Sequence, residues 1–423
     1  MGRRPAPLTR RGRWRGLLAT LLVVSTAGCS SGGPATSPTT TTPGTTTGTS
    51  SAPTTQPAPP TTTPATSAVA TSAPATALTT VAPSSEPTSS EGTAPAPAEL
   101  AGRVLCTFEG TTVPEDVLDR IADGRAAGVL LFAANLASAE QARLMGEAIQ
   151  SAAARSPSSL PAIVAVDQEG GVVARIPGPP SASAAEMGTW PIAAVRAEAQ
   201  RTATNLLSWG INVDLAPVAD VARPGTFEDR QHRSFNADPG LAAAAVAAFV
   251  DGLHAGGVAA TLKHFPGLGS VQQTTDDAPA VVALTEDELA AIDRAPFTAG
   301  VASGSELVMM SSAVYTSIAA EPAVLSADVV GTVLRGQLGF GGVVISDALD
   351  TPALASYGSL ETQAVAAASA GVDLLIAGDP HSCAVMGDAL AAAIDAGELP
   401  ATQARESVER IEALRRHLAP TQV

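Results

Sequence analysis

Eight short apolar runs recur along the chain after residue 99, and each is followed by an Ala-rich stretch with helical character. Runs that are apolar along their whole length are typical of parallel strands covered on both faces. Helix signals lie between them: Ser138 and Thr285 stand where N-caps are expected, and Gly371 stands where a helix should end. The predicted strands are 103–108, 128–132, 162–167, 211–218, 259–265, 306–312, 342–347 and 373–378.

This alternation of strand and helix predicts an α/β fold, either a (βα)8 barrel or a large doubly wound sheet. Eight repeats of the unit favour a single (βα)8 TIM-type barrel. A final amphipathic helix over 401–418 is expected to cap or brace the barrel, and we assign 99–423 to this one domain.

The first 98 residues follow a different pattern. Residues 1–29 contain six Arg, no acidic residue and an apolar run over 17–24, which is shorter than the roughly 20 residues that span a bilayer. They are a predicted signal peptide, and the last four, TAGC, resemble the bacterial lipoprotein box, in which the Cys, here Cys29, becomes lipid-modified. Ordinary signal cleavage is the alternative, and general or twin-arginine export stays open. Residues 30–98 are nearly all Ser, Thr, Pro, Ala or Gly, which predicts a disordered linker.

The net charge and the cysteine content limit the classes of partner and cofactor that the protein can bind. The chain carries 40 acidic and 24 basic residues, and 18 basic residues remain after residue 29, so the mature chain is strongly acidic. Such a surface repels phosphates, which argues against nucleic acid and against membrane contact other than through a lipid anchor. With only three Cys, no thiolate metal cluster is expected, and we expect no metal or cofactor. Cys106 and Cys383 form an even pair that can bridge in an oxidising compartment; buried free thiols are the preferred interpretation.

Polar residues stand at the C-terminal ends of several predicted strands, where barrel enzymes place their chemistry. They are Asp167, Asp220, the pair Lys263 and His264, and Asp347. One Asp in such a position is often only a helix N-cap. Four positions together favour a site, and Lys263 is the only Lys in the chain.

Five short strings follow one another along these strand ends: VDQEGG at 166–171, NVDLAPVAD at 212–220, RSF at 233–235, KHFPGLG at 263–269 and GFGGVVISD at 339–347. Together they resemble glycoside hydrolase family 3, and in particular its single-domain bacterial β-N-acetylglucosaminidases. The resemblance covers about residues 100–418.

The resemblance implies a monomeric, cofactor-free retaining enzyme that removes terminal β-linked GlcNAc from peptidoglycan fragments. It implies that Asp347 is the nucleophile. The residues that it implies for binding the terminal sugar are Asp167, Arg175, Arg233, Lys263 and His264.

One departure from the family pattern concerns the proton donor. The branch carries Asp-Ser-His after the fifth strand, with the His as acid/base, whereas this chain has TTD at 274–276 and no His between His264 and His381. Either Asp276 or Asp277 supplies the proton, as a carboxyl does in other glycosidases, or the site is impaired. The alternatives left open are an impaired sugar-binding lipoprotein, an N-acetylglucosaminide phosphorylase, and a Schiff-base aldolase that uses Lys263.

Overall fold

The structure is a computed structural model and describes residues 100–418. The predicted signal peptide, Cys29 and the linker therefore lie outside the described residues. Eight parallel strands close into a barrel in the order β1-β8-β7-β6-β5-β4-β3-β2, so the predicted TIM-type fold is confirmed. The strands are β1 Val104–Cys106, β2 Gly128–Leu131, β3 Ile163–Val166, β4 Val213–Asp214, β5 Ala259–Phe265, β6 Leu307–Met310, β7 Val343–Ala348 and β8 Leu374–Ile376.

A helix of eight or more residues follows each barrel strand in the described part of the chain. The predicted helix signals are used: Ser138 and Thr285 accept backbone N–H groups as N-caps, and Gly371 ends its helix with φ 104°. The helices are Glu115–Ala122, Ala139–Ala153, Ile192–Ser208, Pro239–Gly256, Ala295–Ala302, the π-helical Asp328–Gln337, Leu360–Ala370 and Ser382–Asp395.

A ninth helix, Ala401–His417, closes the N-terminal end of the barrel, as the amphipathic pattern predicts. Its Ile411 and Leu414 pack in one cluster with residues that line the barrel interior, such as Leu105. Arg415 donates to the carbonyls of Leu160 and Pro161, which directly precede β3. Because this helix covers one end of the barrel formed by residues 100–418, a ligand is expected to approach the barrel axis from the opposite end.

Two small strand pairs lie in the loops at that opposite, C-terminal end. Gln168–Gly170 pairs antiparallel with Val173–Ala174 in the loop after β3. Val281–Val282 pairs parallel with Val314–Tyr315, which joins the loops after β5 and β6. These pairs give the loops that carry the polar residues a fixed backbone.

Cys106 and Cys383 are joined by a disulfide, with their Cα atoms 5.0 Å apart. This corrects the preference for buried free thiols. Cys106 ends β1 and Cys383 lies in the first turn of the helix after β8, and these segments become neighbours only when the barrel closes. The bond therefore ties the first βα unit to the last.

We expect the double variant Cys106→Ser/Cys383→Ser to lose about 2–5 kcal/mol of unfolding free energy, because the bond closes a very long loop in the unfolded chain. Denaturant unfolding with and without reductant measures the loss. Reductant should lower the stability of the wild type and leave the double variant unchanged. Alkylation of both thiols in the unreduced wild type would show that the bond does not form.

Candidate active site

Three strand ends meet around the barrel axis and bring predicted polar residues together. Asp167 follows β3, Lys263 and His264 lie in β5, and Asp347 lies near the end of β7. Lys263 Nζ is 2.7 Å from Asp167 Oδ1, so residues far apart in sequence are in direct contact. The structure thus brings these predicted side chains together.

Glu169, which the sequence analysis did not single out, lies at the centre of this cluster. Its carboxylate accepts from Arg233 Nε at 2.8 Å and from Arg233 Nη2 at 2.9 Å, a bidentate pair. Lys263 Nζ lies 2.6 Å from Glu169 Oε1. Arg175 completes the group more loosely, with Nη2 3.5 Å from Asp167 Oδ2.

The loop after β3 has the local structure needed to place Asp167 and Glu169 side by side. Gln168 is fully buried and accepts the backbone N–H groups of Arg175 and Ile176, which folds the hairpin back on itself. Gly170 has φ 93°, and a Cβ there would lie 2.3 Å from a backbone oxygen of Ala182. Only Gly fits that position, which explains the first Gly of the VDQEGG string.

Burial and ion pairing have opposite effects on the pKa values of the groups in this cluster, and the effect of ion pairing is larger. Burial alone would raise the pKa of Asp167 and Glu169, but the charges of Lys263, Arg175 and Arg233 bring the pKa of both carboxyls below the usual range. Burial would likewise lower the pKa of Lys263, but Asp167 and Glu169 raise it. All these groups are therefore charged near neutral pH, which suits the binding of sugar hydroxyls.

His264 is held by Asp220, which lies in the loop after β4. His264 Nδ1 lies 2.8 Å from Asp220 Oδ2, and the backbone N–H groups of His264 and Leu268 also donate to Asp220. Burial would lower the pKa of His264, but Asp220 outweighs burial and the pKa is raised. This arrangement fixes the ring and leaves Nε2 for another partner.

Glu228 is a second buried carboxyl that the sequence analysis missed. Arg233 Nη1 donates to Glu228 Oε1 at 2.9 Å, while Glu228 Oε2 has no hydrogen-bond partner. Burial, with a contribution from the charge of Asp220, raises the pKa of Glu228 to about 7 against the opposing effect of Arg233. Arg233 is thus held between two carboxyl groups.

Asp220, Glu228 and His264 place potential metal ligands within 4.8 Å of one another. The donor set suits a metal poorly, because the oxygens of Asp220 already accept the N–H groups of His264 and Leu268. Arg233 also places a positive charge against Glu228. We therefore assign these carboxyls to the orientation of His264 and Arg233.

Asp347 is half-buried beside this cluster, and its Oδ1 accepts the N–H of Ala348 at 2.8 Å. Burial raises the pKa of Asp347 to about 6, and the charge of Asp276 acts in the same direction, while His264 and Lys263 oppose it. Asp276 thus lies close enough to Asp347 to affect the ionisation of Asp347. Two such carboxyl groups are what glycosidic bond cleavage requires.

Asp276 is exposed on the loop after β5, and this loop is anchored to the loop after β4. The N–H of Phe227 donates to Val271 O at 2.9 Å, and Arg230 Nη2 donates to Gln272 O at 2.5 Å. Thr275 is buried, and Thr274 Oγ1 accepts the N–H of Asp276 at 3.2 Å, which holds the turn that presents Asp276. Asp277 is also exposed, next to Asp276 on the same turn.

Comparison with known proteins identifies the family to which the chain is similar. Residues 104–414 match the Glycosyl hydrolase family 3 N terminal domain. A beta-hexosaminidase of Stenotrophomonas maltophilia is 37% identical over 287 residues, which cover 66% of this chain and 84% of that protein. An uncharacterised secreted glycosyl hydrolase of Arthroderma benhamiae is 36% identical over 328 residues, 75% of this chain and 92% of that one.

Among solved structures, a family 3 β-N-acetylglucosaminidase from Paenibacillus superposes with a TM-score of 0.72 at 29% identity, over 76% of this chain and 62% of that longer chain. The chain therefore belongs to glycoside hydrolase family 3. Its relatives place it in the β-N-acetylhexosaminidase branch of that family.

Proposed function

We propose that the protein is a retaining β-N-acetylhexosaminidase that removes terminal β-linked GlcNAc from peptidoglycan fragments. Asp347 attacks the anomeric carbon and forms a glycosyl-enzyme, and Asp276 donates a proton to the leaving oxygen and then activates water. The observation that carries the proposal is the half-buried Asp347 beside a charged cluster that holds Asp167, Lys263 and Arg233 in place.

This cluster supports sugar binding because it keeps spare hydrogen-bonding capacity. Lys263 and Arg233 use only part of their N–H groups on protein carboxylates, and Asp167 retains lone pairs for a hydroxyl. His264 adds a ring nitrogen that Asp220 keeps oriented. A sugar fixed by these groups would present its anomeric carbon to Asp347, which is how positioning lowers the barrier.

The disulfide supports an exported protein, since such bonds persist in oxidising compartments. The relative from Arthroderma benhamiae is described as a secreted glycosyl hydrolase. We propose export and a lipid anchor at Cys29 on the outer face of the membrane, where cell-wall fragments are the β-linked GlcNAc substrates at hand.

The aldolase alternative is disfavoured by the environment of Lys263. A Schiff-base lysine must lose its proton to attack a carbonyl, which requires a lowered pKa. Here two carboxylates contact Lys263 Nζ and raise its pKa despite burial.

Activity on aryl glycosides tests the proposal directly. We expect faster release of nitrophenol from the N-acetyl-β-glucosaminide than from the β-glucoside or β-xyloside, and release of GlcNAc from muropeptides. Equal or faster cleavage of the glucoside would overturn the substrate assignment. Formation of GlcNAc 1-phosphate in phosphate buffer would indicate phosphorolysis, and binding of GlcNAc without turnover would indicate the impaired protein.

A further inference from the structure

Glu169 lies between the two cations assigned to sugar binding, and it contacts both. We propose that Glu169 is a positioning residue, which holds Lys263 and Arg233 together so that their remaining N–H groups meet specific hydroxyls of the terminal sugar. This inference rests on the proposed function of the site.

Glu169 has few hydrogen-bond acceptor positions left with which to contact a sugar itself. Oε1 accepts from Arg233 Nη2 and contacts Lys263 Nζ, and Oε2 accepts from Arg233 Nε. A carboxylate offers about four acceptor positions, so three are already occupied. The residue is also only 5% exposed. Glu169 therefore acts through its two partners.

The two cations need an anion between them to share one face of the site. The charge of Arg233 works against the protonation of Lys263, whereas the charge of Glu169 favours it. Asp167 contacts Lys263, and Glu228 contacts Arg233, but among the ion pairs of residues 100–418 Glu169 joins both. Loss of its charge would let the two side chains move apart.

Donor counting shows what this arrangement leaves for the substrate. Lys263 has three N–H groups and contacts two carboxylates, and Arg233 has five and uses three. One N–H of Lys263 and two of Arg233 remain. Because the used groups fix both side chains, the remaining ones are oriented before the sugar arrives.

The test is Glu169→Gln, which keeps the shape of the side chain and removes its charge. Its matched control is Asp373→Asn at the far end of the barrel, where Asp373 is equally buried and paired with two cations, Arg335 and Arg410. For each variant, kcat and KM are measured on nitrophenyl N-acetyl-β-glucosaminide and on its 3-, 4- and 6-deoxy analogues.

We expect Glu169→Gln to lower kcat/KM on the full substrate by about 10²-fold. It should lower kcat/KM much less on the analogue that lacks the hydroxyl held by Lys263 or Arg233, so discrimination between the two substrates shrinks. Asp373→Asn should keep the wild-type discrimination, whatever its stability. Glu169→Asp, which keeps the charge but retracts it, should lose discrimination in the same way and serves if the Gln variant does not fold.

A loss by the same factor on every substrate would overturn the inference, since it would indicate a structural role only. So would wild-type kinetics in both Glu169 variants. If the wild type cleaves no aryl glycoside, the proposed function fails. Calorimetric binding of GlcNAc and its deoxy analogues to wild type and Glu169→Gln then decides the inference separately, by the same comparison.

Discussion

Replacement of Asp347 by Asn or Ala should lower turnover by roughly 10⁴-fold or more, with the fold intact. The carboxylate forms the bond to the anomeric carbon in the proposed mechanism, and neither Asn nor Ala can do so. The fold should survive, because Asp347 is half-buried at the open end of the barrel and accepts only the N–H of Ala348. Single-turnover kinetics and circular dichroism measure the two effects.

Asp350, three residues further along the chain, offers a matched control. It accepts the backbone N–H groups of Gly378 and Asp379 and the hydroxyl of Ser382, so its role is to join the loops after β7 and β8. Asp350→Asn should cost stability and keep turnover within about tenfold, as expected for a variant outside the reacting atoms. A 2-fluoro sugar should label Asp347, and label on another carboxylate would contradict the assignment.

The pH dependence of the wild type follows from the same residue. Burial and the charge of Asp276 raise the pKa of Asp347 to about 6, and only its ionised form attacks. We therefore expect kcat/KM to fall as the pH drops through about 6.

The barrel could be predicted from the sequence because the strands contain apolar runs, such as residues 343–345 of β7, and helix signals such as Ser138 separate the strands. The order of strands in a (βα)8 barrel then follows from chain order. The disulfide could not be predicted with the same certainty. Cys106 and Cys383 are 277 residues apart, and only closure of the barrel brings them together.

The site could be predicted in part, for a related physical reason. Asp167, Lys263 and Asp347 are visible because they interrupt or end apolar strands. Glu169 and Glu228 lie in loops, where an acidic residue is ordinarily solvated, so nothing in their local pattern indicates burial. The one available signal was that Glu169 stands within the VDQEGG string. Its position between two cations depends on the loop after β4, which brings Arg233 to it.

The identity of the acid is the prediction that discriminates most sharply, because the expected Asp-Ser-His is replaced by residues 274–276. Asp276→Ala should slow substrates with poor leaving groups by about 10²- to 10⁴-fold, the range typical of general acid catalysis. Activated aryl glycosides need little protonation in the first step, so their kcat/KM should be spared. Kinetics over a series of leaving groups measures the difference, and azide should accelerate breakdown of the glycosyl-enzyme in the variant.

One pH effect should accompany Asp276→Ala. The alkaline limb of activity should flatten, because it reflects loss of the proton that the acid must donate. Asp277→Ala, which changes the neighbouring exposed carboxylate, should leave this limb in place. If Asp277→Ala gives the leaving-group effect instead, Asp277 is the acid; if neither variant changes muropeptide cleavage, the proton comes from another residue and the assignment of a carboxyl in place of His is wrong.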